Sequence, residues 1–316
     1  MKNRVKFTGA NKLFFSFAAI FFASQVVLVF LTALYGENFL RDNVYKVLLV
    51  NQYVIVLIPV LVYTFKNKLD LKKTFRLNNP GLLPLLLITA MSLPAYIAAL
   101  MLNTIVMYFI QFIGKVPVQT LPIPQNLAEF GVGVLVIAVS PAICEELFHR
   151  GVLLSAYENR GSIRGLVISS VFFGLFHFDL NNLVGPIFLG LIIGYYVLRT
   201  NSIFSGMLAH FLNNFIALLL QYISPETVSN SNLEIKTTEL VSVIIIGVAC
   251  MLILAALMTL FRLSTRGKYE FKPAIGSVRD DFVSLATHWP VIIVVILYIG
   301  SALLYLLSIF IYDVAA

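Results

Sequence analysis

The chain has 316 residues, 59% of them hydrophobic and only 12% charged, with a mean hydropathy of +0.93. Soluble domains carry about twice that share of charge, so the composition excludes an ordinary soluble domain and predicts a polytopic membrane protein. A net charge of +7 would suit a nucleic-acid binder in a soluble chain. Here the basic residues fall between apolar runs, as in cytoplasmic loops, and no nucleic-acid partner is expected.

The N-terminal MKNRVKF leads into an apolar run that continues to about Tyr35. That exceeds the roughly 7–15 residues of a signal-peptide core, so it reads as an uncleaved first span. Apolar runs then predict an all-α architecture of about eight to nine transmembrane helices. They lie near 13–35, 45–65, 82–113, 130–157, 164–178, 182–199, 202–222, 240–262 and 290–312. The third contains Pro94, which predicts a kink or an extension beyond the membrane. The fifth and sixth are short and are separated by Phe178-Asp179-Leu180-Asn181-Asn182. A polar break at membrane depth is tolerated only where protein or water surrounds it.

Basic residues precede the first span (Lys2, Arg4, Lys6, Lys12) and follow the second (Lys66, Lys68, Lys72, Lys73, Arg76). More follow the fourth (Arg160, Arg164), the sixth (Arg199) and the eighth (Arg262, Arg266, Lys268, Lys272, Arg279). All fall on one side if nine spans start from a cytoplasmic N-terminus, leaving the C-terminus outside. Cys144 and Cys250 both lie in apolar runs and read as buried inert thiols. No internal repeat or separate soluble domain is legible. The chain reads as one integral unit with N-terminal helices in 1–128, a core in 129–222 and C-terminal helices in 223–316.

Ionisable side chains within membrane helices are costly and mark function by default. Three sets stand out: Glu145, Glu146 and Arg150; Phe173 and His177; His210 and Asn214. Glu146/Arg150, Phe173/His177 and His210/Asn214 are each spaced i, i+4, on one helix face. At about 1.5 Å per residue, Glu145 lies roughly 18 Å from the helix end near Tyr157, His177 roughly 20 Å from Arg164 and His210 roughly 12 Å from Ser202. Three helices thus carry polar residues at comparable depth, and the side chains are expected to surround one cavity. Taken singly, each has a plainer reading: an ion pair, or a hydrogen bond between helices. His149 is expected on another face near the interface, His288 at the interface before the last span, and Gly190 and Gly194 at a close helix contact.

A carboxylate, two histidines and an amide suit the activation of water for hydrolysis. No serine or cysteine is paired with a histidine as a nucleophile, and HExxH is absent from the sequence. A transporter or proton relay would also use such residues, but no repeated half with a second broken helix is present.

In this order on successive apolar helices, Glu145-Glu146-x-x-x-Arg150, Phe173-x-x-x-His177 and His210-x-x-x-Asn214 match EExxxR, FxxxH and HxxxN. The chain thereby resembles the CPBP intramembrane proteases, the type II CAAX prenyl endopeptidases and bacteriocin-processing (Abi) enzymes, over about 135–220. The resemblance implies an intramembrane endopeptidase acting on a peptide or protein substrate at the lipid bilayer. It implies that Glu145 activates water with His177, that His210 and Asn214 stabilise the oxyanion, and that Glu146 and Arg150 form a supporting ion pair. Glu145, His177 and His210 would serve either as ligands of a divalent metal such as zinc or as acid/base groups alone; the metal-free reading is preferred. A catalytically inactive scaffold or immunity protein that keeps the motifs is the remaining alternative. Without a sorting extension, a bacterial plasma membrane is the expected location. Prenylated tails, bacteriocin or pheromone leaders and membrane proteins are the expected substrate classes.

Overall fold

The computed structural model describes residues 5–117, 122–224 and 232–315. Lys2, Arg4 and part of the 223–239 connection lie outside them.

The protein is an all-α polytopic membrane protein. Seven described helices are long and apolar enough to span: α1 (Phe7–Tyr35), α2 (Asn38–Lys66), α3 (Leu82–Ile110), α4 (Leu127–Arg160), α7 (Ile203–Ile223), α8 (Thr237–Ser264) and α10 (Trp289–Ile311, continuing to Ala315). Two shorter apolar helices, α5 (Ser162–Leu175) and α6 (Val184–Thr200), complete the nine runs read from hydropathy. Their 14 and 17 residues reach only about 21 and 26 Å at 1.5 Å per residue, short of a ~30 Å hydrocarbon layer. The amphipathic α9 (Val278–Ala286) precedes α10. A two-residue antiparallel pairing joins β1 (Val116–Pro117) to β2 (Asn232–Leu233). Helix α3 runs through Pro94 as one 29-residue helix, about 43 Å at 1.5 Å per residue and so longer than a ~30 Å hydrocarbon layer.

Two packed groups surround the centre. In the first, Phe14 and Phe17 of α1 meet Phe148 of α4 and Phe172 and Phe176 of α5; Phe17 stacks on Phe176 at 4.1 Å. The second joins Ile88 and Met91 of α3, Tyr196 of α6, and Leu254 and Phe261 of α8. Lipid tails are as apolar as these side chains, so close fit rather than exclusion of water holds such helices together. Gly190 provides one such fit: a Cβ there would meet Ser170 of α5 at 3.0 Å. Cys144 and Cys250 are free and buried, as expected.

The polar break between α5 and α6 is enclosed by protein. The Asn103 side chain on α3 accepts from the Gly185 N–H at 2.7 Å and donates to Asn182 Oδ1 at 2.8 Å. Tyr298 of α10 donates to the Asp179 carbonyl at 3.1 Å, and Asn181 donates to the Tyr305 hydroxyl at 2.7 Å. Phe178 turns the chain with a left-handed backbone (φ 48°) while its ring stacks on Phe21. Backbone groups that neither helix can satisfy thus find partners on α3 and α10, as a break at this depth requires.

The basic clusters meet at one end of the bundle. Arg76 pairs with Glu158 at 2.7 Å, and Lys272 reaches the same carboxylate at 3.1 Å. Arg160 and Arg164 both pair with Asp281 of α9, at 2.6 and 2.8 Å. The polar connections are thereby tied to the ends of α4 and α5.

Candidate active site

Helix α4 is not uniform. It runs π-helical over Val134–Val139 and again over Leu147–Leu153, with one α-helical stretch, Ser140–Glu146, between them. A third π-helical stretch, Val50–Leu57, lies in α2. Such stretches are rare and collect at functional sites, where the wider turn redirects side chains. Pro141 contributes to the irregularity. Without an N–H it cannot bond the Ile137 carbonyl four residues back, and that carbonyl accepts from Asn214 Nδ2 of α7 at 3.0 Å.

Glu145 and Glu146 are adjacent on α4, and both are buried. Glu146 Oε1 accepts from Arg150 Nη1 at 2.5 Å, the i, i+4 pair read from the sequence, and from His210 Nδ1 at 3.0 Å. The Arg150 guanidinium lies 4.5 Å from the centre of the Phe173 ring and also donates to the Gly190 carbonyl at 3.3 Å. The charge is therefore enclosed by a carboxylate, an aromatic face and a backbone oxygen, which offsets much of its desolvation.

Glu145 turns to a different set of partners. Its Oε1 accepts from Gln52 Nε2 of α2 at 2.8 Å. Its Oε2 accepts no hydrogen bond within the described residues and lies 3.9 Å from His210 Nε2. The His210 ring thus stands between the two carboxylates, with Nδ1 toward Glu146 and Nε2 toward Glu145.

His177, at the end of α5, hydrogen-bonds through Nδ1 to the Phe173 carbonyl at 2.9 Å. A carbonyl only accepts, so Nδ1 carries the proton and Nε2 is the acceptor of the neutral ring. Phe173 is the common neighbour of the cluster: its ring is edge-on to both His177 (5.3 Å) and His210 (5.6 Å). Asn214, one turn after His210, accepts from Asn213 Nδ2 at 3.1 Å while donating to Ile137. One Nδ2 hydrogen of Asn214 remains beyond that bond.

Glu145, His177, His210 and Asn214 line a single cavity of about 330 Å³. Glu146 and Arg150 stand behind it and hold His210. The rest of the wall is mostly apolar, including Tyr96, Leu100, Ile137, Leu189 and Ile193.

Gln52 and Asn213, among the polar residues of the cavity, are named by no motif. Gln52 lies in an early helix without a recognisable motif, and Asn213 is hidden beside the motif residue Asn214. Polarity at membrane depth was the available clue for both. His149, expected on another face near the interface, is fully buried in the protein, bonded through Nδ1 to the Glu145 carbonyl at 2.9 Å and packed against Phe173 and Phe176.

Zinc would draw nitrogen and oxygen ligands to about 2.0–2.2 Å. Among the described residues no three His, Cys, Asp or Glu side chains are gathered to hold a metal ion, so Glu145, His177 and His210 do not form a three-ligand centre in this arrangement.

Residues 128–216 match the family model described as Rce1-like, type II CAAX prenyl endopeptidase. The matched segment contains all seven motif residues from Glu145 to Asn214, and it bears out the family resemblance over the core. It supports a CAAX-type membrane protease in general terms. No curated protein and no solved structure matches the chain.

Proposed function

We propose that the protein hydrolyses peptide bonds of membrane-associated substrates inside the bilayer, using water activated by Glu145. One observation carries this reading. A buried carboxylate oxygen, Glu145 Oε2, has no hydrogen-bond partner among the described residues and faces His210 Nε2 at 3.9 Å in a cavity that His177 also lines.

In the proposed reaction, Glu145 removes a proton from water as its oxygen bonds to the scissile carbonyl carbon. The carbonyl oxygen becomes an oxyanion, stabilised by the remaining Nδ2 hydrogen of Asn214 and by His210 through Nε2. Glu146 holds the His210 ring from its other nitrogen, Nδ1, at 3.0 Å. Collapse of the intermediate breaks the C–N bond, and the proton held by Glu145 passes to the leaving nitrogen. His177, with Nε2 as acceptor, positions the water and shares the proton transfers.

The apolar wall suits an uncharged peptide segment, as at a prenylated tail, a leader peptide or a membrane-anchored chain. The clustering of basic residues at one end favours a cytoplasmic N-terminus and an enzyme of the plasma membrane. The test is cleavage of candidate peptides by purified protein in detergent or liposomes, read by mass spectrometry. Loss of cleavage in folded Glu145→Gln supports the reading; a wild-type protein that cleaves nothing overturns it and favours a transporter or an inactive scaffold.

A further inference from the structure

We infer that Gln52 is a positioning residue for the proposed hydrolysis, fixing which oxygen of Glu145 acts on water; the inference rests on that reaction. Gln52 lies on α2, 93 positions from Glu145 in sequence and outside every motif. Its Nε2 donates to Glu145 Oε1 at 2.8 Å, and its side chain lines the same cavity as His177 and His210.

A carboxylate on a glutamate arm rotates about its terminal torsion, a broad, roughly two-fold torsion that readily exchanges the two oxygens. The hydrogen bond from Gln52 removes that freedom. With Oε1 held toward α2, Oε2 is the oxygen left facing His210 Nε2 at 3.9 Å. A bond to a charged acceptor is worth more than one between neutral groups, and more again where water is scarce.

A second contact holds α2 in place at this level. The next residue, Tyr53, hydrogen-bonds through its hydroxyl to Ser140 Oγ at 3.2 Å. Ser140 begins the α-helical stretch that carries Glu145, and it also donates to the Leu135 carbonyl five residues back. Adjacent residues of the π-helical stretch of α2 thus grip the segment of α4 that bears the proposed base. The bond is not an incidental contact between two helices that happen to touch; it fixes the base from the side opposite His210. Gln52 acts through Glu145, so its loss should affect turnover and leave substrate affinity intact.

The experiment compares wild type with Gln52→Met, which keeps the length and removes the donor, and Gln52→His, which keeps an N–H. The kcat and KM are measured on a peptide that wild type cleaves, with Glu145→Gln as the inactive control and melting temperatures as a check on folding. The expected result is a fall in kcat of about tenfold to a hundredfold in Gln52→Met, the range of one charge-assisted hydrogen bond. KM should stay within about twofold, because the contribution of Gln52 is made in the transition state and not in ground-state binding, and Gln52→His should recover part of kcat. Should Gln52→Met fail to fold, Gln52→Leu, likewise uncharged and without a donor, carries the comparison with Gln52→His. An unchanged kcat in a folded donor-free variant, or a rise in KM alone, overturns the positioning role while leaving the protease reading intact. Absence of cleavage by wild type overturns both.

Discussion

His210 Nδ1 lies 3.0 Å from Glu146 Oε1, the oxygen that also receives Arg150 Nη1 at 2.5 Å. The pair expected only to brace its own helix therefore joins α4 to α7 and sets the direction of the His210 ring. Support and chemistry share one carboxylate.

Removing Arg150 should cost stability before anything else. Arg150 and Glu146 are both buried, at 2% and 0% side-chain exposure, and breaking such a pair leaves an uncompensated charge at a cost of about 3–5 kcal/mol. Arg150→Ala is expected to lower yield and melting temperature as well as activity. A stable Arg150→Ala protein that has lost only turnover would show that the guanidinium acts in the reaction instead.

Glu145→Gln preserves size and keeps an oxygen for Gln52, but removes the base. General-base catalysis contributes about a hundredfold to ten-thousandfold, so turnover should fall by at least about a hundredfold with the melting temperature little changed. Single-turnover cleavage assays decide this.

Gly206 brings the α7 backbone close to the Glu146 carboxylate. A Cβ there would stand 2.5 Å from Glu146 Oε2 and 2.7 Å from Val197 Cγ2. Neither the buried carboxylate nor the packed valine can move freely, so Gly206→Ala is expected to destabilise by about 1–3 kcal/mol. It should also reduce activity by displacing Glu146 from His210. Normal melting and normal turnover would refute this account of the glycine.

Asn103 holds the turn between α5 and α6 through two hydrogen bonds, to the Gly185 N–H and Asn182 Oδ1. Asn103→Leu leaves both partners unsatisfied at a depth where water is scarce, at about 1–3 kcal/mol each. Hydrogen exchange should quicken first around residues 176–185. Faster exchange spread evenly over the whole bundle would show that Asn103 stabilises the fold generally and not this turn.

Much of the fold was legible because a bilayer imposes a single strong rule. A helix must be apolar over most of a membrane thickness; seven described helices obey it, and two shorter apolar ones lie among them. The irregularities were less legible. The π-helical turns on either side of Glu145 were not foreseen, and positions assigned at 3.6 residues per turn drift where the turn is wider.

The residue sequence alone determined the membrane class, the order of the helices and the identity of six polar residues too costly to bury without partners. Those are local properties, set by composition and by spacing along one helix. Only the tertiary structure decided how they divide: Glu146 to Arg150 and His210, Glu145 to Gln52 on one oxygen and toward His210 on the other. Gln52 and Asn103 joined the account only there, because nothing in a helix's own sequence records which distant helix packs against it. An amide in an apolar run signals that a partner exists; the packing of α2, α4 and α7 names it.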